Sequence, residues 1–400
     1  MLDVETLGAA LKLAKKGGGG GGEGAAIIDD SKILTSTTWS SQKIVDTLCP
    51  PFTVSGATVQ CTPVANYPLG VKVAWEPRQE GSGDPSPENI RPITGLDEVT
   101  VQQSGKNVLN VTGAFRDAFN YVLPNAALVC GATYTYTCST EVASGAVVAL
   151  YIIADDYALA SYLGPGESAS FIVPENADFS QGMWLAGGSA NALDGVSVES
   201  FMVELGSTPT AYAPYTGTTA TLTLPETIYG GELDAVTGEG AKTIHRAVLD
   251  GTEIWILNAQ MENSGINGYQ THLEFLADDS YDCVCSHFSG MRWNGVLKED
   301  SVAVTSQVMV VRTNGSETLE DWKSFLAAQY AAGTPVTIAY KLATPTPFQA
   351  TGGQSLPALP GTNTLYADAG SVTVSGASDP IATITALQNR VSALESAALN

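Results

Sequence analysis

Short runs in which apolar and polar residues alternate, separated by Gly and Pro, fill most of this chain. The stretches from Val71 to Trp75 and from Val99 to Gln103 alternate with period 2, which predicts two strands with one buried face each. Between them lies a polar loop containing Gly81, Gly83, Pro85 and Pro87. Further on, Tyr134, Tyr136 and Cys138 share one strand face, followed by AVVALYII, SFIVP, MWLAG, VSV and FMVEL. After Thr218 the pattern resumes with ATLTL, GGELDAVTG, KTIHRAVLD, EIWIL, SVAV, QVMVVR and PVTIAYKL. One helix interrupts it: Thr318 is its N-cap, Asp321 takes the capping-box position, and Leu319, Trp322, Leu326 and Tyr330 form an apolar stripe before Gly333.

The stretch FMVELGSTPTAYAPYTG orders the rest. Phe201, Val203 and Leu205 alternate with Met202 and Glu204, and then Gly206, Pro209 and Pro214 break the ladder, so a β domain closes here. Strands at intervals of roughly 8 to 15 residues, separated by Gly and Pro, indicate sandwiches. The expected fold is mostly β, with two β-sandwich domains and helical ends. Residues 1–51 hold an amphipathic helix, six consecutive glycines and a short stalk helix ended by Pro50 and Pro51. Residues 52–107 and 218–348 are β, 108–217 is the domain that FMVEL closes, and 349–379 reads as a linker and a strand. Residues 380–400 predict a short coiled coil with Ile384, Leu387, Val391 and Leu394 at a/d positions, Arg390 at g and Glu395 at e.

Composition narrows the chemistry. A net charge of −23 with only 18 Lys and Arg argues against nucleic acid, because phosphate binding needs clustered cations. No run of 18 apolar residues occurs and the N-terminus has no signal-like apolar core, so neither membrane insertion nor general secretion is expected. Six cysteines are present; Cys283 and Cys285 sit on one face of a strand, poorly placed to bond each other, and buried free thiols are expected. His287 is the only histidine near them, too little for a zinc knuckle.

Enzymatic signals are weak. The acidic pairs Asp155/Asp156 and Asp278/Asp279 are adjacent residues, unlike the separated carboxylates of a glycosidase. His245, His272 and His287 are scattered, with no nucleophile elbow or HExxH helix. The glycine run has neither the Lys-Ser/Thr nor the preceding strand of a phosphate loop. No catalytic residue, cofactor or metal site is predicted. Sugar binding fits better: Tyr157, Tyr162 and Trp184 beside Asp155 and Asp156 could stack on and hydrogen-bond a glycan, while the same aromatics could fill a core and the carboxylates could hold calcium.

Several blocks carry a family resemblance. A strand ending in Glu-Leu-Gly-Ser, then Pro and Tyr-x-Pro-Tyr, resembles the last strand of the carbohydrate-binding-module-like jelly rolls of bacteriophage tail proteins. GSGDPSPENIRPITG followed by a V-x-V strand and GKN resembles a block in tail-associated proteins of phages and prophages of Gram-positive bacteria. Thr-Trp-Ser-Ser-x-Lys-Ile resembles tail-fibre stalk pieces, and YGGELDAVTG and TPVTIAYKLATPTPFQ resemble the same family. The resemblance implies a jelly roll over 108–217, inserted between 52–107 and 218–348. It further implies a tail fibre or baseplate receptor-binding protein of the virion, assembled in the host cytoplasm with other tail proteins and attaching to a host cell-surface glycan. A structural tail protein without host contact is the alternative, and a glycan depolymerase the third. The run Arg390-Val391-x-x-Leu394-Glu395 resembles a trimerisation signature, which with the habit of tail fibres implies a homotrimer. Ile at a with Leu at d leans instead towards two strands.

Overall fold

Alternation in the sequence becomes antiparallel sheet, because strands with one apolar face pair and bury that face together. The computed structural model describes residues 51–110, 121–123, 128–140, 148–152, 158–159, 162–174, 177, 183–187, 197–258, 268–273, 283–291, 297–305, 308–313 and 318–379. The expected tether and stalk helix before residue 51 lie outside the described residues. So does the coiled coil, with Ile384, Leu387, Arg390, Val391, Leu394 and Glu395.

The strands in chain order begin with β1 (Pro51–Gly56), β2 (Thr58–Cys61), β3 (Pro68–Trp75), β4 (Arg78–Gln79), β5 (Ile93–Thr94) and β6 (Leu96–Ser104). Then come β7 (Tyr121–Leu123), β8 (Thr133–Cys138), β9 (Val148–Ile152), β10 (Ala158–Leu159), β11 (Ser168–Ile172), β12 (Met183–Gly187) and β13 (Phe201–Leu205). After these follow β14 (Gly217–Ile228), β15 (Gly231–Asp234), β16 (Glu239–Leu249), β17 (Ile256–Leu257), β18 (Tyr269–His272), β19 (Cys283–Cys285), β20 (Ser289–Gly290), β21 (Ser301–Thr305) and β22 (Val308–Arg312). The helix α1 (Leu319–Ala331) precedes β23 (Val336–Gln349), β24 (Leu356–Pro357), β25 (Asn363–Ala367) and β26 (Ser371–Ala377).

Two sheets meet in one apolar cluster. The larger runs β1-β26-β3-β15-β16-β23-β19, with β24 also on β3, and the smaller runs β14-β6-β25-β2. Val71 and Val73 of β3 join Val99 and Val101 of β6, Leu222 of β14, Leu365 of β25 and Val374 of β26 in that cluster. β3 buries every second residue from Leu69 to Trp75, the alternation read in its sequence. The chain departs at Ser104 and returns at Gly217, which face each other in the β6/β14 ladder. A Cβ at Gly217 would overlap the Gln103 carbonyl and the Tyr215 hydroxyl, so the return point requires glycine.

Residues 349–379, expected as a linker and a strand, instead contribute three strands, with β26 between β1 and β3 and β25 between β6 and β2. Within 108–217 a separate core joins Tyr134, Tyr136 and Cys138 of β8 to Leu150, Leu185, Phe201 and Val203. The sheets there are β11-β8-β13 and β10-β9-β12-β7. β13 differs from the one-faced strand expected: Met202 and Glu204 are buried as well as Phe201 and Val203. The segment that follows supplies a partner on that second face, where Thr210 donates its amide and hydroxyl to the Glu204 carboxylate at 2.8 and 2.7 Å.

A third core lies within 247–340. Trp322 and Leu326 of α1 pack with Trp255, Tyr269, Phe288, Val302, Val311, Ile338 and Tyr340. Trp322 stacks on Tyr269 at 5.8 Å and meets Trp255 edge-on at 5.2 Å. The helix begins where the sequence places it, with Thr318 and Asp321 forming a reciprocal capping box. Tyr330 departs from the expected stripe and is 54% exposed, since it lies in the last turn, past the part of the helix that faces Tyr269 and Trp255.

Candidate functional site

The residues singled out for glycan contact fall in the 108–217 unit. Asp155, Asp156 and Tyr157 lie outside the described residues. Trp184 occupies the middle of β12, in register with Tyr151 on one side and Val122 on the other. Tyr162 stands between β10 and β11 and is 47% exposed, because its neighbour Leu163 takes the inward position in the core.

The turn after Tyr162 is stiffly built. Glu167 accepts the Gly164 amide on its carboxylate at 2.7 Å and returns its own amide to the Gly164 carbonyl at 3.1 Å. The Cys138 amide reaches the Glu167 carbonyl at 3.0 Å, and the Gly166 amide reaches the Cys138 carbonyl at 3.1 Å, which fastens the turn to β8. Gly166 has φ of 78°, a left-handed position that a side chain would strain. Together these bonds fix the turn that follows Tyr162 and carries Glu167, both of them exposed. Such a pair can stack on the C–H face of a sugar and accept its hydroxyls. Sequence reading missed Glu167; the signal was Gly-Pro-Gly-Glu directly after Tyr162-Leu163, a turn that fixes its last side chain.

The unit is anchored where the Gly-Lys-Asn run after β6 meets the stretch that follows β13. Asn107 is buried, and its Oδ1 accepts the amides of Leu109 at 3.0 Å and Val203 at 3.2 Å. Its Nδ2 donates to the carbonyls of Phe201 at 3.3 Å and Ala213 at 3.2 Å. Lys106 donates to Thr210 Oγ1 at 2.8 Å and to the Ala211 carbonyl. The Gly-Lys-Asn run therefore clamps the Thr-Pro-Thr-Ala-Tyr-Ala stretch.

The loop between β4 and β5 is knotted by its own side chains. Arg91 donates to the carbonyls of Glu80 at 2.9 Å, Gly83 at 2.6 Å and Gly81 at 3.0 Å, and Asn89 Nδ2 to those of Ser82 at 3.1 Å and Asp84 at 2.9 Å. The guanidinium thus sits among carbonyls where a bound cation would otherwise gather them.

The histidines are separated in role. His272 is exposed, His245 tilts over Tyr340 at 5.4 Å, and His287 is fully buried. Ser286 Oγ lies 2.8 Å from His287 Nδ1, but the hydroxyl is buried and also accepts the Thr337 amide at 2.9 Å, so it serves as a structural bond. Burial pushes the Cys285 thiol up to about 11 and draws the His287 imidazole below its usual value. Cys61, Cys130, Cys138, Cys283 and Cys285 are free thiols. Among the described residues no group of three or more His, Cys, Asp or Glu side chains is placed to hold a metal, and no helix is long and apolar enough to cross a membrane. No family model, no curated protein and no solved structure matches this chain.

Proposed function

We propose that this chain is a non-catalytic phage tail component, a fibre or baseplate-associated receptor-binding protein that attaches to a host cell-surface glycan. The observation that carries the reading is the mounting of the 108–217 unit. It has its own apolar core and leaves and rejoins one ladder at the facing pair Ser104 and Gly217. A module joined to a scaffold through neighbouring strand ends can vary its outer loops without disturbing the scaffold, which is how binding surfaces are commonly built. On this reading the unit is a jelly-roll sandwich inserted in a second sandwich. Tyr162 and Glu167 lie on its sugar-facing surface, with Asp155, Asp156, Tyr157 and Trp184 as further contacts.

The resemblance of the GSGDPSPENIRPITG and FMVELGSTPTAYAPYTG blocks to tail proteins supports a place in the virion, in contact with other tail proteins. The same reading makes the chain a homotrimer, for which light scattering should give about three times 41.5 kDa. The deciding experiment is binding of the purified chain to isolated cell-wall fractions of Gram-positive bacteria. Retention that falls about tenfold in Tyr162→Ala, a loss near 1.4 kcal/mol, is the expected result. A chain that binds no fraction is a purely structural tail protein, and one that releases reducing ends is a depolymerase; either outcome overturns the reading.

A further inference from the structure

His287 sits where four parts of the structure are tied together. Its Nδ1 faces Ser286 Oγ at 2.8 Å and its Nε2 faces Gln329 Oε1, near the end of α1, at 3.5 Å. Phe288 and Phe325 flank the ring at 6.4 and 6.3 Å. Ser286 Oγ accepts the Thr337 amide of β23 at 2.9 Å, and the Ser286 carbonyl accepts the Arg91 amide at 2.8 Å. Next to it, the Cys285 carbonyl accepts Gln79 Nε2 at 2.9 Å. Gln329 in turn accepts the Thr334 hydroxyl at 2.8 Å, just past the helix. The knotted loop between β4 and β5, the end of β19, the last turn of α1 and the start of β23 therefore converge on the Cys285–His287 corner, where the imidazole itself faces Ser286 Oγ and Gln329 Oε1.

The charged groups of those elements are engaged elsewhere or point to solvent. Arg91 is turned onto its loop carbonyls. Glu80, Asp84 and Glu88 of the loop and Lys341 of β23 are exposed, while Lys323 of α1 is half-buried, with its carbonyl lying against Gly251. Glu320 and Asp321 lie in the opposite, first turn of α1. Tyr340 of β23 is buried against His245, and Cys285 beside the imidazole is a neutral thiol. Among the described residues no carboxylate bonds to His287 and so none offsets a positive charge there.

We propose that His287 is an acid-operated latch: as a neutral ring it fastens the β4–β5 loop and the end of α1 to the β19 corner, and its protonation releases them. The proposal is independent of the receptor-binding reading. Burial lowers the imidazole's proton affinity in the closed state, outweighing the Gln329 hydrogen bond that raises it. A solvated ring in the open state keeps an ordinary value near 6.5. The open state thus binds the proton first. Opening becomes more favourable by about tenfold per pH unit as pH falls below about 6.5, until the closed state's own pKa is reached.

The test is amide exchange on the full-length chain from about pH 7.5 to 5, with protection corrected for intrinsic exchange, in the wild type and His287→Phe. The Arg91, Ser286 and Thr337 amides should lose about tenfold of protection per pH unit below about 6.5 in the wild type and stay level in the variant. A flat wild-type profile, or an equal step in the variant, overturns the proposal. Should the variant not fold, the His287 ring titration in the wild type decides. A ring already charged near pH 7, or one that titrates while protection stays constant, overturns it equally.

Discussion

Asn107 Oδ1 accepts the backbone N–H of Val203 at 3.2 Å, and this bond ties the end of the 52–107 segment to the last strand of the 108–217 unit. The same side chain meets three further backbone groups, so all of its hydrogen-bonding is satisfied in a buried place. Asn107→Ala strands two buried amides and two carbonyls together, and each buried unpaired group costs about 1–3 kcal/mol. We expect a loss of about 3 kcal/mol in urea denaturation of the full chain. Asn107→Asp keeps the acceptor but buries a carboxylate against the Phe201 and Ala213 carbonyls, so at neutral pH it should lose at least as much; a clearly smaller loss would mean that those carbonyls do not depend on the Asn107 amide.

The aromatic core around α1 sets a second expectation. The Trp322 indole N–H is buried without a hydrogen-bond partner. Trp322→Phe removes that unpaired donor along with part of the ring, so relief and lost packing oppose each other, whereas Leu326→Ala only opens a cavity. Leu326→Ala should destabilise by about 2–5 kcal/mol, and Trp322→Phe by clearly less. Thermal unfolding followed by far-UV dichroism of the β-sheet would measure both, and a Trp322→Phe loss as large as that of Leu326→Ala would refute the balance.

Local pattern was enough to read β3, β6, β8 and α1, because their signals, period-2 alternation of residue type or a capping box, lie within a few neighbouring residues. It gave one strand where β24, β25 and β26 lie, in a segment broken by Pro357, Pro360, Gly361 and Gly370. Those strands are held by distant partners, with Leu365 opposite Gln103 and Val372 opposite Val73, and no local period reports such pairs. The separate core within 247–340 was hidden for the same reason. β16 and β23 pair along most of their length and belong to the large sheet, yet Leu249 and Ile338 at their far ends serve the third core. Of the candidate site, Tyr162 was legible as an aromatic outside a strand. Glu167 was not, since its role depends on a turn fastened to β8.

Thiol chemistry offers a test of these cores that needs no mutation. Burial pushes Cys61, Cys138 and Cys285 each up to about 11, so all three are neutral thiols at pH 8 and also shielded. Cys130 is exposed. Brief alkylation of the native chain at about pH 8, read by peptide mass mapping, should mark Cys130 and leave those three until denaturant is added. Labelling of Cys138 at the rate of Cys130 would contradict the core of the 108–217 unit.

Ser104 and Gly217 also make the boldest expectation possible, that the unit between them can be cut out. Strand ends that face each other in an antiparallel ladder are the geometry of a hairpin, and two residues such as Asn-Gly close one with the right twist. Replacing 105–216 by Asn-Gly removes Lys106 and Asn107 together with Thr210, Ala211 and Ala213, so both sides of the clamp go and neither is left unpaired. The β6/β14 ladder and the cluster of Val99, Val101, Ala220 and Leu222 keep every partner. Gln102, Ser104, Thr364 and Tyr366, which line a small pocket with Val108 and Tyr215, become solvent-facing, a modest change because three of the four are polar and Tyr366 gains water at its hydroxyl. The shortened chain should unfold cooperatively, with the β-sheet dichroism of the remaining strands and the Trp322 environment intact. A shortened chain that is unfolded or aggregated at micromolar concentration would show instead that the scaffold depends on the unit it carries.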